Sequence, residues 1–112
     1  MKISSNFDSG NINVIECSAP GNIRLSINND KNSEFYQWFH FRLTGAKDQL
    51  CALRIENAAG ATYPNGWENY QAVASYDHET WFRVSTVYKE GVLTIQHVPE
   101  TDSVYYAYFA PY

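Results

Sequence analysis

The sequence predicts an all-β chain, an antiparallel β-sandwich of about eight to nine short strands. Three observations carry this. Apolar and polar residues alternate with period two through most of the chain. Clusters of turn-forming residues separate the alternating runs. No segment keeps a helical period over ten or more residues.

Taken in order, "NIRLSIN" places Ile23, Leu25 and Ile27 on one face, with Arg24 and Ser26 on the other. "FYQWFHFRL" places Phe35, Phe39, Phe41 and Leu43 on one face, and Tyr36, Trp38, His40 and Arg42 on the other. "CALRIEN" alternates Cys51, Leu53 and Ile55 against Ala52, Arg54 and Glu56. "AVASY" leads through Asp77–Glu79 into "TWFRVSTVY", one face of which reads Trp81, Arg83, Ser85 and Val87. "VLTIQHV" continues the pattern. The final run "VYYAYFA" is aromatic on both sides, with Tyr106 and Tyr108 on one face and Tyr105 and Phe109 on the other. Such runs, rich in β-branched and aromatic residues, suit a pleated, half-buried surface. The turns fall at "APGN" 19–22, "NNDKNS" 28–33, "GAKD" 45–48, "KEG" 89–91 and "PETDS" 99–103.

Length and composition bound the rest. At 112 residues, 45% of them hydrophobic and 16% aromatic, the chain is one domain with material for a core. A net charge of -4 and only eight Lys and Arg argue against a nucleic-acid partner, because phosphate neutralisation needs a cationic surface. No apolar run approaches the ~20 residues of a membrane helix. The start, "MKISSNFDSGN", turns polar at once and has no signal-peptide core, so the expected location is cytoplasmic. Cys17 and Cys51 make no disulfide framework and read as small buried hydrophobes in a reducing compartment.

The candidate chemistry is sparse. "HVPE" offers His97 and Glu100 at the spacing of a zinc ligand pair, but only Asp102 follows as a carboxylate, so a third ligand would have to be His40 or His78. "DHE" at 77–79 reads as a hairpin turn rather than a site. There is no G-x-S-x-G elbow and no Gly-rich phosphate loop. The chain is therefore expected to carry no catalytic residue and no metal site of its own.

It does carry a second aromatic face. Trp38, His40, Arg42, Trp81, Arg83, Tyr106 and Tyr108 mix rings with arginines, the composition of an interface. A strand apolar on both sides is covered on both sides, so the last strand asks for a second cover. The loop 57–71 gathers Tyr63, Pro64, Trp67 and Tyr70 beside two glycines. It is either an Ω-type loop whose rings pack back on the core or a functional loop.

The ordered set "SNFDSGN", "FYQWFHFRLTG", "YPNGWENYQAVASYD", "TWFRV" and "DSVYYAYFAPY" resembles the N-terminal domain of the cytosolic carboxypeptidases, the cytosolic branch of the M14 zinc carboxypeptidases, and is most similar to the bacterial members. The resemblance covers essentially the whole chain. It implies a β-sandwich, 1–112, placed before a catalytic domain that would follow residue 112. That domain would hold the zinc through His-x-x-Glu plus a later His, together with the substrate-binding Arg, Asn and Tyr and the Glu general base. None of those positions is implied here, and "HVPE" is not equated with the zinc motif. The sandwich would dock on its own catalytic domain. Two further readings compete with this one. A free-standing module for carbohydrate or protein would expose Trp67 and Tyr70 as coplanar rings along a groove. A small enzyme would bring His40, His78 and His97 together. If the covering domain is absent, the uncovered face would also drive self-association.

Overall fold

Two five-stranded sheets face each other in the computed structural model, which describes residues 1–29 and 35–111. The strands are β1 (Lys2–Ser4), β2 (Asn13–Glu16), β3 (Ile23–Ser26), β4 (His40–Thr44), β5 (Cys51–Ile55), β6 (Val73–Ser75), β7 (Phe82–Arg83), β8 (Ser85–Lys89), β9 (Val92–His97) and β10 (Ser103–Ala107). One sheet runs β1-β4-β10-β6-β7 and the other β2-β3-β5-β9-β8. The all-β sandwich is as the alternation predicts. Among the described strand pairs, β3 and β5 run parallel and the others antiparallel.

The core lies between the sheets. Phe41, Leu43, Ala74, Val104 and Tyr106 come from the first; Ile23, Leu25, Leu53, Ile55, Leu93 and Ile95 come from the second. Each large apolar side chain taken fully out of water contributes about 1.5–3 kcal/mol. The Glu90–Gly91 turn joins β8 to β9 with both residues at positive φ, 53° and 83°. That is the geometry of a two-residue hairpin, and glycine takes its half at no steric cost.

Several local expectations need correction. "TWFRVSTVY" is not one strand. The chain crosses between sheets at Val84, so Arg83, with Trp81 just ahead of its strand, lies with one sheet and Ser85 and Val87 with the other. The crossing is stitched by Val84 N–H to Ala72 O (2.9 Å) and Ala72 N–H to Thr86 Oγ1 (3.0 Å). "FYQWFHFRL" enters the ladder only at His40, and Phe35 is exposed rather than inward. Gln37 takes the inward position, and its amide exchanges hydrogen bonds with the Tyr63 backbone at 2.9 and 3.1 Å. β1 and β2 carry no alternation: Lys2–Ser4 is too short for a period, and Asn13–Glu16 is exposed throughout. From residue 30 the expected turn at 28–33 lies outside the described residues, as does Tyr112.

The loop 57–71 packs back on the core. Trp67 is fully buried, and its Nε1–H donates to Ala58 O at 2.8 Å. Two short 3-10 turns, Ala58–Gly60 and Pro64–Trp67, set that geometry. No helix among the described residues is long and apolar enough to cross a membrane.

Candidate functional site

The outer face of the β1-β4-β10-β6-β7 sheet holds a dense group of aromatic and imidazole rings. Ladder register decides which side chains reach it. Tyr105 lies opposite both Arg42 and Ser75, while Ala107 lies opposite His40 and Val73. Val73 in turn lies opposite Arg83. These residues therefore share the outward parity, and their neighbours Phe41, Tyr106 and Ala74 point into the core.

Over this face folds the segment 5–11. Gly10 N–H donates to Phe7 O and Phe7 N–H to Ser5 O, both at 2.9 Å. Gly10 is required here, because a Cβ would come within 2.0 Å of Ser5 O. The tight turn lays Phe7 edge-on against His40 and Tyr105, with centroids 4.9 and 5.6 Å away. Trp38 donates its indole N–H to Ser9 O at 2.7 Å and packs against Phe109 at 5.0 Å.

From the other side comes the turn between β6 and β7. Asp77 accepts from the backbone N–H groups of Thr80 (2.8 Å) and Glu79 (2.9 Å) and from the Ser75 hydroxyl (3.0 Å). These donors hold its carboxyl down at about 2. Ser75 Oγ also accepts from His78 N–H at 2.8 Å. His78 is thereby fixed in the left-handed region, φ 64°. Its ring stacks on Tyr105 at 4.1 Å and brings Nε2 to 3.0 Å from His40 Nε2. Ser9 Oγ lies 3.0 Å from His40 Nδ1. Burial, then the neighbouring His78, push the His40 imidazole down to about 4.

The interface residues expected from the sequence thus divide. Trp38, His40, Arg42, Trp81 and Arg83 share this face, with His40 fully buried and Arg42 and Arg83 exposed. Tyr106 and Tyr108 do not. Tyr106 is 0% exposed and reaches His97 Nδ1 at 2.8 Å through its hydroxyl. Tyr108 packs on Phe39 and Trp67, and Tyr70 donates its hydroxyl to the Tyr108 carbonyl. Nor is the second face of β10 bare, because Phe7, His40 and His78 lie against Tyr105. Phe7, His78, Tyr105 and Phe109 also belong to this group of rings. The register, which places Tyr105 and not Tyr106 beside Arg42, selects Tyr105, while the turns at 5–11 and 76–81 bring in Phe7 and His78.

The other expected sites resolve as follows. Trp67 is buried and meets Tyr70 at 70°, so the two are not coplanar rings on a groove. Tyr63 is exposed and touches Phe35 edge-on. Pro64 starts the second 3-10 turn. His97 lies near Tyr76 Oη (3.2 Å from Nε2) as well as Tyr106 Oη, so both ring nitrogens already face hydroxyls. It does not join His40 and His78. Among the described residues no three His, Cys, Asp or Glu side chains gather as a metal site.

The family description "cytosolic carboxypeptidase N-terminal domain" matches residues 3–109. The chain is 55% identical to a metallo-carboxypeptidase from Burkholderia cenocepacia, with a TM-score of 0.98 over 99% of this chain and 29% of that one. It is 47% identical to a Pseudomonas aeruginosa metallo-carboxypeptidase solved with (2-guanidinoethylmercapto)succinic acid, with a TM-score of 0.97 over 100% of this chain and 30% of that one. An uncharacterized protein of Zymomonas mobilis is 47% identical over 113 residues, all of this chain and 29% of that protein. The chain thus spans less than a third of the length of these relatives, and in each solved one it corresponds to a β-sandwich portion of a metallo-carboxypeptidase. The chain belongs to the cytosolic carboxypeptidase N-terminal domain family.

Proposed function

We propose that this sandwich is the non-catalytic N-terminal domain of a cytoplasmic zinc metallocarboxypeptidase that removes C-terminal residues from peptides or proteins. The parent's zinc and catalytic groups would lie in a domain following residue 112. The sandwich would dock on that domain through the outer face around His40, assist its folding and shape access to its site. The observation that carries this reading is the family match over 3–109 in a chain that spans under a third of its metallo-carboxypeptidase relatives.

The exposed rings support the docking part. Phe109, 49% exposed, follows β10 and leans on half-buried Trp38. Trp81 continues the apolar surface, and Arg42 and Arg83 rim it. Rings at the centre with arginines at the edge are how protein interfaces are composed. A free carbohydrate module has less support, since its expected stacking ring, Trp67, is inside the core. A small histidine enzyme loses His97 in the same way.

The test is to read the coding sequence past the codon for Tyr112. A frame that continues into a domain with His-x-x-Glu and a later His is the expected result. A stop codon would overturn the proposal.

A further inference from the structure

We propose that the notch lined by Tyr76, Phe82, His97, Val98 and Glu100 receives an arginine side chain presented by a partner polypeptide. The site is distinct from the docking face around His40. Tyr76, next after Ser75, sits toward the Ser103 end of β10, while Phe109 follows the other end.

The notch opens at the end of the space between the two sheets, with a volume of about 320 Å3. Phe82 lies opposite the core residue Ala74, and His97 shares the inward parity of Leu93 and Ile95. Their rings form its wall. Tyr76 and His97 are nearly parallel, at 28° with centroids 6.1 Å apart, and Phe82 leans on them at 5.3 and 5.8 Å. The hydroxyls of Tyr76 and Tyr106 hold both His97 nitrogens, so the imidazole offers ring surface rather than a lone pair. Burial lowers that imidazole, which keeps it neutral at pH 7 and harmless to a cation. Exposed Val98 adds aliphatic surface.

Glu100 supplies the charge. Its backbone N–H donates to Tyr76 Oη at 3.1 Å, which ties the residue to the mouth of the notch. Its carboxylate acts on His97 against the effect of burial, so the two lie close. Among the described residues no ion pair engages that carboxylate.

These surfaces select the guest. A ring wall with a carboxylate at its rim fits a cation carried on a hydrocarbon stem. A guanidinium stacks flat on rings and forks onto a carboxylate, whereas an ammonium is a strongly hydrated point charge. The chain's net charge of -4 draws a cationic segment toward it.

The experiment titrates the blocked peptide acetyl-Gly-Arg-Gly-amide into the 15N-labelled chain at fixed ionic strength. The expected result is a shift of the Phe82, Val98 and Glu100 amides, with Phe109 unmoved. Half-saturation is expected at about 1–20 mM, the range that one cation–π contact and one rim ion pair support. The same peptide with citrulline, a neutral isostere of arginine, should bind at least fivefold more weakly. Glu100→Gln should weaken the arginine peptide two- to fivefold. Glu90→Gln, the same charge loss at the far end of β9, should leave it unchanged. No shift at the notch by 50 mM peptide, equal affinity for the citrulline peptide, or unchanged affinity in Glu100→Gln would overturn the site. Butylguanidinium binding more tightly than the peptide would assign the notch to a free guanidine and overturn the polypeptide partner.

Discussion

Replacing Tyr106 with Ser separates two accounts of the aromatic C-terminal strand. If Tyr106 faced a partner, the change would weaken association and leave folding nearly intact. In the structure the ring is 0% exposed, 5.5 Å from the Phe41 ring, and its hydroxyl lies 2.8 Å from His97 Nδ1. Removing a buried aromatic ring costs about 3–5 kcal/mol, and losing a buried hydrogen-bond partner adds about 1–3 kcal/mol. Domains of this size hold about 5–15 kcal/mol in total, so Tyr106→Ser should be largely unfolded or close to it. Tyr106→Phe keeps the ring, removes only the hydroxyl, and should cost about 1–3 kcal/mol. Urea denaturation of the three proteins reads these values as midpoint shifts at constant slope. Sedimentation reads oligomeric state on the same samples. A Tyr106→Ser protein within about 1 kcal/mol of wild type, with a changed oligomeric state, would refute the inward placement of Tyr106.

Other perturbations probe different parts of the structure. Trp67→Ala removes a fully buried indole and leaves Ala58 O without its donor, so a stability loss of about 3–5 kcal/mol is expected by calorimetry. Phe109→Ser, at a half-exposed ring, should stay within about 1 kcal/mol of wild type by urea denaturation while weakening any self-association seen by sedimentation. Stability should also depend on pH. Burial lowers both His97 and His40, the latter to about 4, below the ~6.5 of an unfolded chain. The unfolded state then binds protons first, so this stabilisation is complete above about pH 6.5 and is lost as pH falls toward 4. For His40 alone it reaches about 3 kcal/mol. A urea midpoint that does not move between pH 7.5 and 5 would contradict this.

The period-two pattern was enough to place the central strands, because alternation reports burial directly wherever one face is wet. Ile23, Leu25, Leu53 and Ile55 all point where the pattern puts them. The pattern weakens where a strand is short or covered on both sides. β1 has three residues, and β6 is buried at every position, so neither carries an alternation. The interface residues illustrate the limit. Arg42 and His40 could be placed on one face from their own run, but choosing Tyr105 over Tyr106 as their neighbour needs the register between distant strands. From sequence alone Tyr106 and Tyr108 fall with the outer rings, because an aromatic residue signals burial without saying on which side. The meeting of His40 and His78, 38 positions apart, depends on a left-handed turn residue and on two strands meeting through β10. No local spacing encodes that.

The central claim is that the outer face around His40 docks on a catalytic domain. Hydroxyl-radical footprinting of this chain alone and of this chain joined to the proposed catalytic domain tests that most directly. The account expects Phe109, Trp38 and Trp81 to react in the isolated chain and to be protected in the joined protein, with Val87 on β8 unchanged. Protection at Val87 with full reactivity at Phe109, Trp38 and Trp81 would place the partner on the opposite sheet and contradict the account.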